Sequence, residues 1–288
     1  MFQFSSEYAL WRVACKLSLA LFATLGLMNG ALAAFVTFEA NGLTPASITV
    51  ARDAFRTSVG GGIAAGANGD FGGVRREINW DGVPAFFSDS TLLPANFFNQ
   101  NSPRGAVFST PGNGFMVSST VGPPPLFGFS NELQTFSPSK LFATIGSNVM
   151  DIDFFVPGTS TAATTSAFGL VFASVETANE TMIEFFSVSN ALLYSHFALA
   201  GMNQGLSFVG GVANAGERIA KVRITTPKNF LLSNGVRANE INDFVVMDDF
   251  LYATPTVVPE SGSLALVGIG LVGLALSRLS KLGGNGIR

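Results

Sequence analysis

The stretch Met150-Asp-Ile-Asp-Phe-Phe-Val-Pro-Gly158 puts Met150, Ile152, Phe154 and Val156 at alternate positions, with Asp151 and Asp153 between them. Successive side chains of a strand point to opposite faces, so this period of two gives one apolar and one wet face, where a helix would scatter both sets. Pro157-Gly158 then ends the run. Ala220, Val222 and Ile224 oppose Lys221, Arg223 and Thr225 in the same way. Strands wet on one face belong to antiparallel sheets, and this pattern constrains the chain more than anything else in it.

Further strands are predicted at Phe35–Glu39, Ser47–Ala51, Ala106–Ser109, Phe115–Ser118, Phe168–Val175, Met182–Ser187, Leu192–Ala198, Leu206–Val209 and Phe244–Tyr252. That is enough for two packed sheets. Charged residues make up only 12%, while the chain holds 28 Phe and 32 Gly against 3 Tyr and 2 Trp, which suits a Phe-filled core with glycine turns. The predicted fold is all-β, a jelly-roll-like antiparallel β-sandwich over residues 34–254, flanked by an N-terminal signal helix and a C-terminal transmembrane helix. Little in the middle sustains a helical stripe, Ala51–Val59 being the best short exception. The run Gly60–Gly73 is half glycine and is expected to be a mobile loop. Its Gly60-x-Gly62-x-x-Ala65 matches a dinucleotide fingerprint superficially, but no helix follows to hold a pyrophosphate. Val121-Gly-Pro-Pro-Pro125 reads as a stiff connector.

Both ends read as targeting segments. Arg12 and Lys16 precede an apolar stretch, Leu17–Met28, and Ala31-Leu32-Ala33 is a small-x-small cleavage site, so residues 1–33 form an export signal. The single cysteine, Cys15, lies before that cleavage site, and the exported chain would hold no thiol. At the other end, residues 261–277 carry no charge, and as a helix they would span about 25 Å, just under the hydrocarbon thickness of a bilayer. Arg278, Lys281 and Arg288 follow, which retains that end on the cytoplasmic side and leaves the domain outside the inner membrane.

The tail resembles the PEP-CTERM sorting signal of exported bacterial proteins: Val258-Pro259-Glu260, a short spacer, a Gly-rich apolar helix, then the basic residues Arg278 and Lys281. Ser261 stands where that family has a second proline. The resemblance covers the last thirty or so residues, so residues 255–288 are taken as a sorting tail. It implies an exosortase-type membrane protease as a partner and release from the inner membrane to the cell surface or extracellular matrix, in bacteria that make exopolysaccharide. Segments of the middle domain, Arg75–Pro84, Ser102–Pro111 and Glu217–Thr226, also resemble pieces of exported bacterial proteins of unknown activity.

Little of the sequence carries chemistry. His196 is the sole histidine and sits in the apolar strand Leu192–Phe197, which excludes a multi-histidine metal site and favours a structural role. A formal net charge of -3 offers no basic face for nucleic acid. Glu39 after the first strand, with Asp248 and Asp249 in the last, is similar to the arrangement that holds a structural calcium ion in many sugar-binding jelly rolls. These three are the candidate metal ligands, the alternative being that the two aspartates are turn or edge residues. Trp80, with Asn79 and Asp81, is the candidate sugar-binding cluster, a flat ring flanked by hydrogen-bonding groups. Ile78 and Trp80 share strand parity, so the alternative is a core tryptophan. The expected protein is an exported, non-enzymatic surface or matrix module acting with extracellular polysaccharide. The alternative is a secreted glycan hydrolase using two of Asp81, Asp151, Asp153, Glu184, Asp248 and Asp249.

Overall fold

The computed structural model describes residues 34–119, 125–239 and 241–257. The signal segment 1–33, the sorting residues Val258, Pro259, Glu260, Arg278 and Lys281, the apolar run 261–277 and most of the connector at 121–125 lie outside them. Among the described residues no helix is long and apolar enough to cross a membrane.

The described chain is mostly β, in two antiparallel sheets. The first sheet runs β1 (Phe35–Gly42), β11 (Leu206–Ala213), β8 (Ala167–Ala173), β13 (Val246–Ala253), β3 (Arg75–Ile78) and β2 (Asp70–Phe71). Two further strands, β6 (Phe142–Ile145) and β5 (Gly114–Val117), join it through β13. The second sheet runs β10 (Leu192–Phe197), β9 (Met182–Phe186), β12 (Lys221–Thr225), β7 (Val149–Phe154) and β4 (Ala106–Ser109). Alternation holds in the second sheet: Ile152, Phe154, Ile183, Phe185, Val222 and Ile224 are buried between the layers. On its outer face Arg223 faces Asp151 on one side and Glu184 on the other, and grips Asp151 with bonds of 2.7 and 2.8 Å.

The first sheet departs from alternation because it is covered twice. All seven residues of β8 are buried. Phe168, Leu170 and Phe172 face the second sheet, while Ala167, Val171 and Ala173 belong to a second core beneath a helix, α1 (Pro45–Val59). The predicted strand Ser47–Ala51 therefore lies inside α1. Its β-branched residues suggest a strand, but Pro45 in the first turn suits a helix start, and Ile48 and Phe55, seven apart, fall on one helical face. Tertiary packing decides the outcome, since both side chains are fully buried. Phe55 rests on Gly169 and Gly210, where an added Cβ would come within 3.3 and 2.8 Å of its ring. Glycine inside a strand here admits a close-packed helix.

The last strand changes partner halfway. Met247 pairs with Phe142 of β6, whereas Phe250 to Ala253 pair with Ile78 to Arg75 of β3. On its other side Met247 pairs with Phe172 and Phe250 with Leu170, so Asp248 and Asp249 together oppose Val171 alone. This β-bulge inserts one residue into the alternation.

Candidate functional site

The bulge explains how two neighbouring aspartates share a site. In an unbroken strand Asp248 and Asp249 would face opposite ways. Here both meet Ser137, whose hydroxyl lies 2.6 Å from Asp249 Oδ1 and 3.3 Å from Asp248 Oδ1. Asp248 Oδ2 also accepts the Phe136 backbone N–H at 2.6 Å. Both are buried. Burial, followed by the charge of Asp249, holds the Asp248 carboxyl well above the ordinary carboxylate range. Burial likewise raises Asp249. Two carboxyls this close and this dry favour a proton kept between them.

Asp249 opens into a cleft of about 500 Å³ between α1 and the glycine loop, lined also by Arg52, Arg56, Glu77, Asn79 and Arg104. Glu77 follows from strand parity: it opposes Leu251, whose side chain is in the outer core, and so points outward with it. There it receives Arg56 through Nε at 2.8 Å and Nη2 at 2.5 Å, and Arg75 Nε at 2.6 Å. Arg75 in turn donates to the Gly60 and Gly62 carbonyls, so the start of the glycine loop is tied to the sheet through a buried guanidinium and departs from the free loop expected from composition. Arg52 lies over the Phe136 ring with its guanidinium carbon 4.8 Å from the centroid, and its Nε is 2.8 Å from Asp53.

Arg104 is the exception among these cations. Its Nη1 donates to the Glu77 backbone carbonyl and its guanidinium stacks 5.0 Å from the Phe98 centroid. Its buried Nε has no hydrogen-bond partner, which is also true of Arg52, but Arg52 keeps an ion pair with Asp53, whereas no carboxylate pairs with Arg104 among the described residues. Burial pulls its proton affinity below the ordinary arginine value. Gly69, at φ 59°, lets the loop backbone come down on the Glu77 carbonyl that Arg104 Nη1 also reaches, since a Cβ there would collide with that oxygen.

The sugar-binding cluster divides three ways. Asn79 is exposed at the cleft. Trp80 is 1% exposed, stacked on Phe142 at 4.0 Å, and its indole N–H donates to the Asp248 carbonyl at 2.8 Å. It is a core tryptophan and corrects the expected binding platform: with Phe98, Phe108 and Phe250 also around it, the ring has no free face to offer. Asp81 caps a turn, accepting the Ser139 and Lys140 backbone N–H groups.

The three candidate calcium ligands are not brought together. Glu39 sits on β1 and meets His196 Nε2 at 2.8 Å, while Asp248 and Asp249 lie on β13 with β11 and β8 between. Among the described residues no cluster of three or more acidic, histidine or cysteine side chains could hold a metal ion. Of the hydrolase candidates, Asp151 is engaged by Arg223 and Asp81 by backbone N–H groups. Sequence reasoning missed Arg52, Arg56, Glu77, Arg104 and Ser137. Arg75, Glu77 and Arg104 lay within segments singled out for resemblance, but nothing in their spacing joins them to residues of α1.

The sequence matches no family model, and no curated protein matches it.

Proposed function

We propose that this chain is an exported, cell-surface or matrix-associated β-sandwich of jelly-roll-like form that binds extracellular polysaccharide without chemical turnover. The observation that carries this reading is the cleft between α1 and the glycine loop: it offers guanidinium, amide and hydroxyl groups, while its one strand-borne carboxylate besides Asp249, Glu77, is held by two arginines. Hydrogen-bond donors and acceptors around an open groove suit hydroxyl-rich ligands. Hydrolysis needs two carboxyls facing each other across the substrate, one free to donate a proton and one free to attack or to activate water. Asp249 lines the cleft while its neighbour Asp248 is sealed behind it, and Glu77 is held by two arginines, which favours binding over cleavage.

The tail completes the proposal. Val258-Pro259-Glu260, the uncharged run and the basic end support temporary anchoring in the inner membrane and removal by an exosortase-type protease. Retention of the full chain on immobilised exopolysaccharide, with no release of reducing ends, is the expected result. Passage without retention refutes the binding, and release of reducing ends refutes the absence of turnover. Intact mass of the protein recovered from cells tests the sorting: loss of both termini is expected, and a full-length chain in the cell interior overturns it.

A further inference from the structure

We propose that the cleft selects a carboxylate-bearing sugar chain, with Arg104 as the group that binds the carboxylate. This rests on the polysaccharide-binding reading and adds the ligand's charge and the residue that reads it.

Four arginines, Arg52, Arg56, Arg75 and Arg104, surround the cleft and the adjoining cavity under the glycine loop. The fixed anions among them are Asp53 and Glu77, and these are consumed by Arg52, Arg56 and Arg75. Of the aspartate pair only Asp249 lines the cleft, and it is engaged by the Ser137 hydroxyl. Arg104 is thus the one of the four arginines that no carboxylate engages among the described residues. A half-buried guanidinium bonded to one carbonyl and stacked on one ring lacks the partner its planar fork of donors fits best, a carboxylate held by two parallel bonds.

The shape points to a chain in preference to an isolated acid. Arg104 and Asn79 line the cleft on one side and a second cavity of about 230 Å³ on the other, where Pro84, Phe98, Asn101 and Ser102 continue the wall. The two cavities flank the guanidinium, and a chain laid along both would follow a path past it. A ligand running through it would present its carboxylate to Arg104 and its hydroxyls to Asn79, Ser102 and Ser137.

Affinity electrophoresis of the full chain in mild detergent tests this, with gels containing polygalacturonate, dextran or no polymer, and free galacturonic acid as a competitor. Retardation by polygalacturonate alone, weakened by salt and little affected by the free monomer at matched carboxylate concentration, is expected. Arg104→Gln should weaken that retardation about tenfold. Because Arg104 is partly buried, Asn79→Asp provides a second variant at an exposed position: it adds a negative charge at the groove and should lower retardation with an unchanged thermal midpoint. Equal retardation by dextran overturns the charge selection while leaving polysaccharide binding standing, and retardation by neither polymer overturns both. Full competition by the monomer, or unchanged retardation in both variants, overturns the proposed groove.

Discussion

The packing of α1 on two strand glycines yields a prediction whose sign depends on a neighbour. Phe55 is fully buried, with edge contacts to Phe38 and Phe208 at 5.9 and 5.7 Å. Phe55→Ala removes that ring and leaves a cavity, a change that costs roughly 3–5 kcal/mol in well-packed cores, out of a total stability on the order of 5–15 kcal/mol. Gly210→Ala would place a Cβ 2.8 Å from Phe55 Cδ2 and 3.1 Å from the Gly169 Cα. In the native background this is overpacking, worth about 1–3 kcal/mol of lost stability. In the Phe55→Ala background the ring clash disappears. Only the backbone contact remains, against which alanine gains about 0.5–1 kcal/mol in a strand. The second substitution should then be neutral within about 0.5 kcal/mol. Denaturant unfolding of the four chains, followed by far-ultraviolet circular dichroism, measures the cycle. Additive losses would refute the claim that these glycines are present to receive Phe55. A loss below about 1 kcal/mol for Phe55→Ala would refute the packing of the helix itself.

Glu77→Gln should destabilise the chain by about 3–5 kcal/mol because it leaves the buried Arg75 without a carboxylate, whereas Arg223→Ala, at a partly exposed pair, should cost about 1 kcal/mol or less; the same denaturant melts compare them. The native aspartate pair holds its proton to higher pH than the unfolded chain does, so its stabilising contribution is complete below the ordinary carboxylate range and is lost as pH rises through the raised value. Asp248→Asn, which keeps an oxygen for the Phe136 N–H, should flatten that dependence and be at least as stable as the native chain at neutral pH; a chain that is less stable there, with the slope unchanged, would count against the shared proton. In a Trp11→Phe chain, Trp80 is the remaining tryptophan, and its emission should be blue-shifted when folded and move red on unfolding; a red emission from the folded chain would show that the ring is wet.

Legibility in the sequence followed the number of faces a strand exposes to water. In β7 and β12 the alternation of Met150–Phe154 and Lys221–Thr225 announces both the strand and its orientation, because one face is wet. In β8 no alternation survives, since Phe168 and Val171 are both interior on opposite faces. Ser47–Ala51 misleads because residue preference is local, whereas its helix is fixed by Gly169 and Gly210 more than a hundred residues away. The site was less legible still. Asn79 was found through its polar neighbourhood, but that same neighbourhood suggested Trp80, which the core claims. Asp248 and Asp249 stand out in the sequence as a pair, but a bulge changes parity without changing composition, so their common direction is not legible there. Arg56, Glu77 and Arg104 are brought together by folding alone.

The strand that exchanges β6 for β3 at Asp248 also determines what can vary in this molecule. The floor of the cleft lies where the sheet parts, so the places of Asp249 and Glu77 on it belong to the backbone ladders and not to the loop that roofs it. Sequence drift in the roof can therefore proceed while the floor groups keep their places.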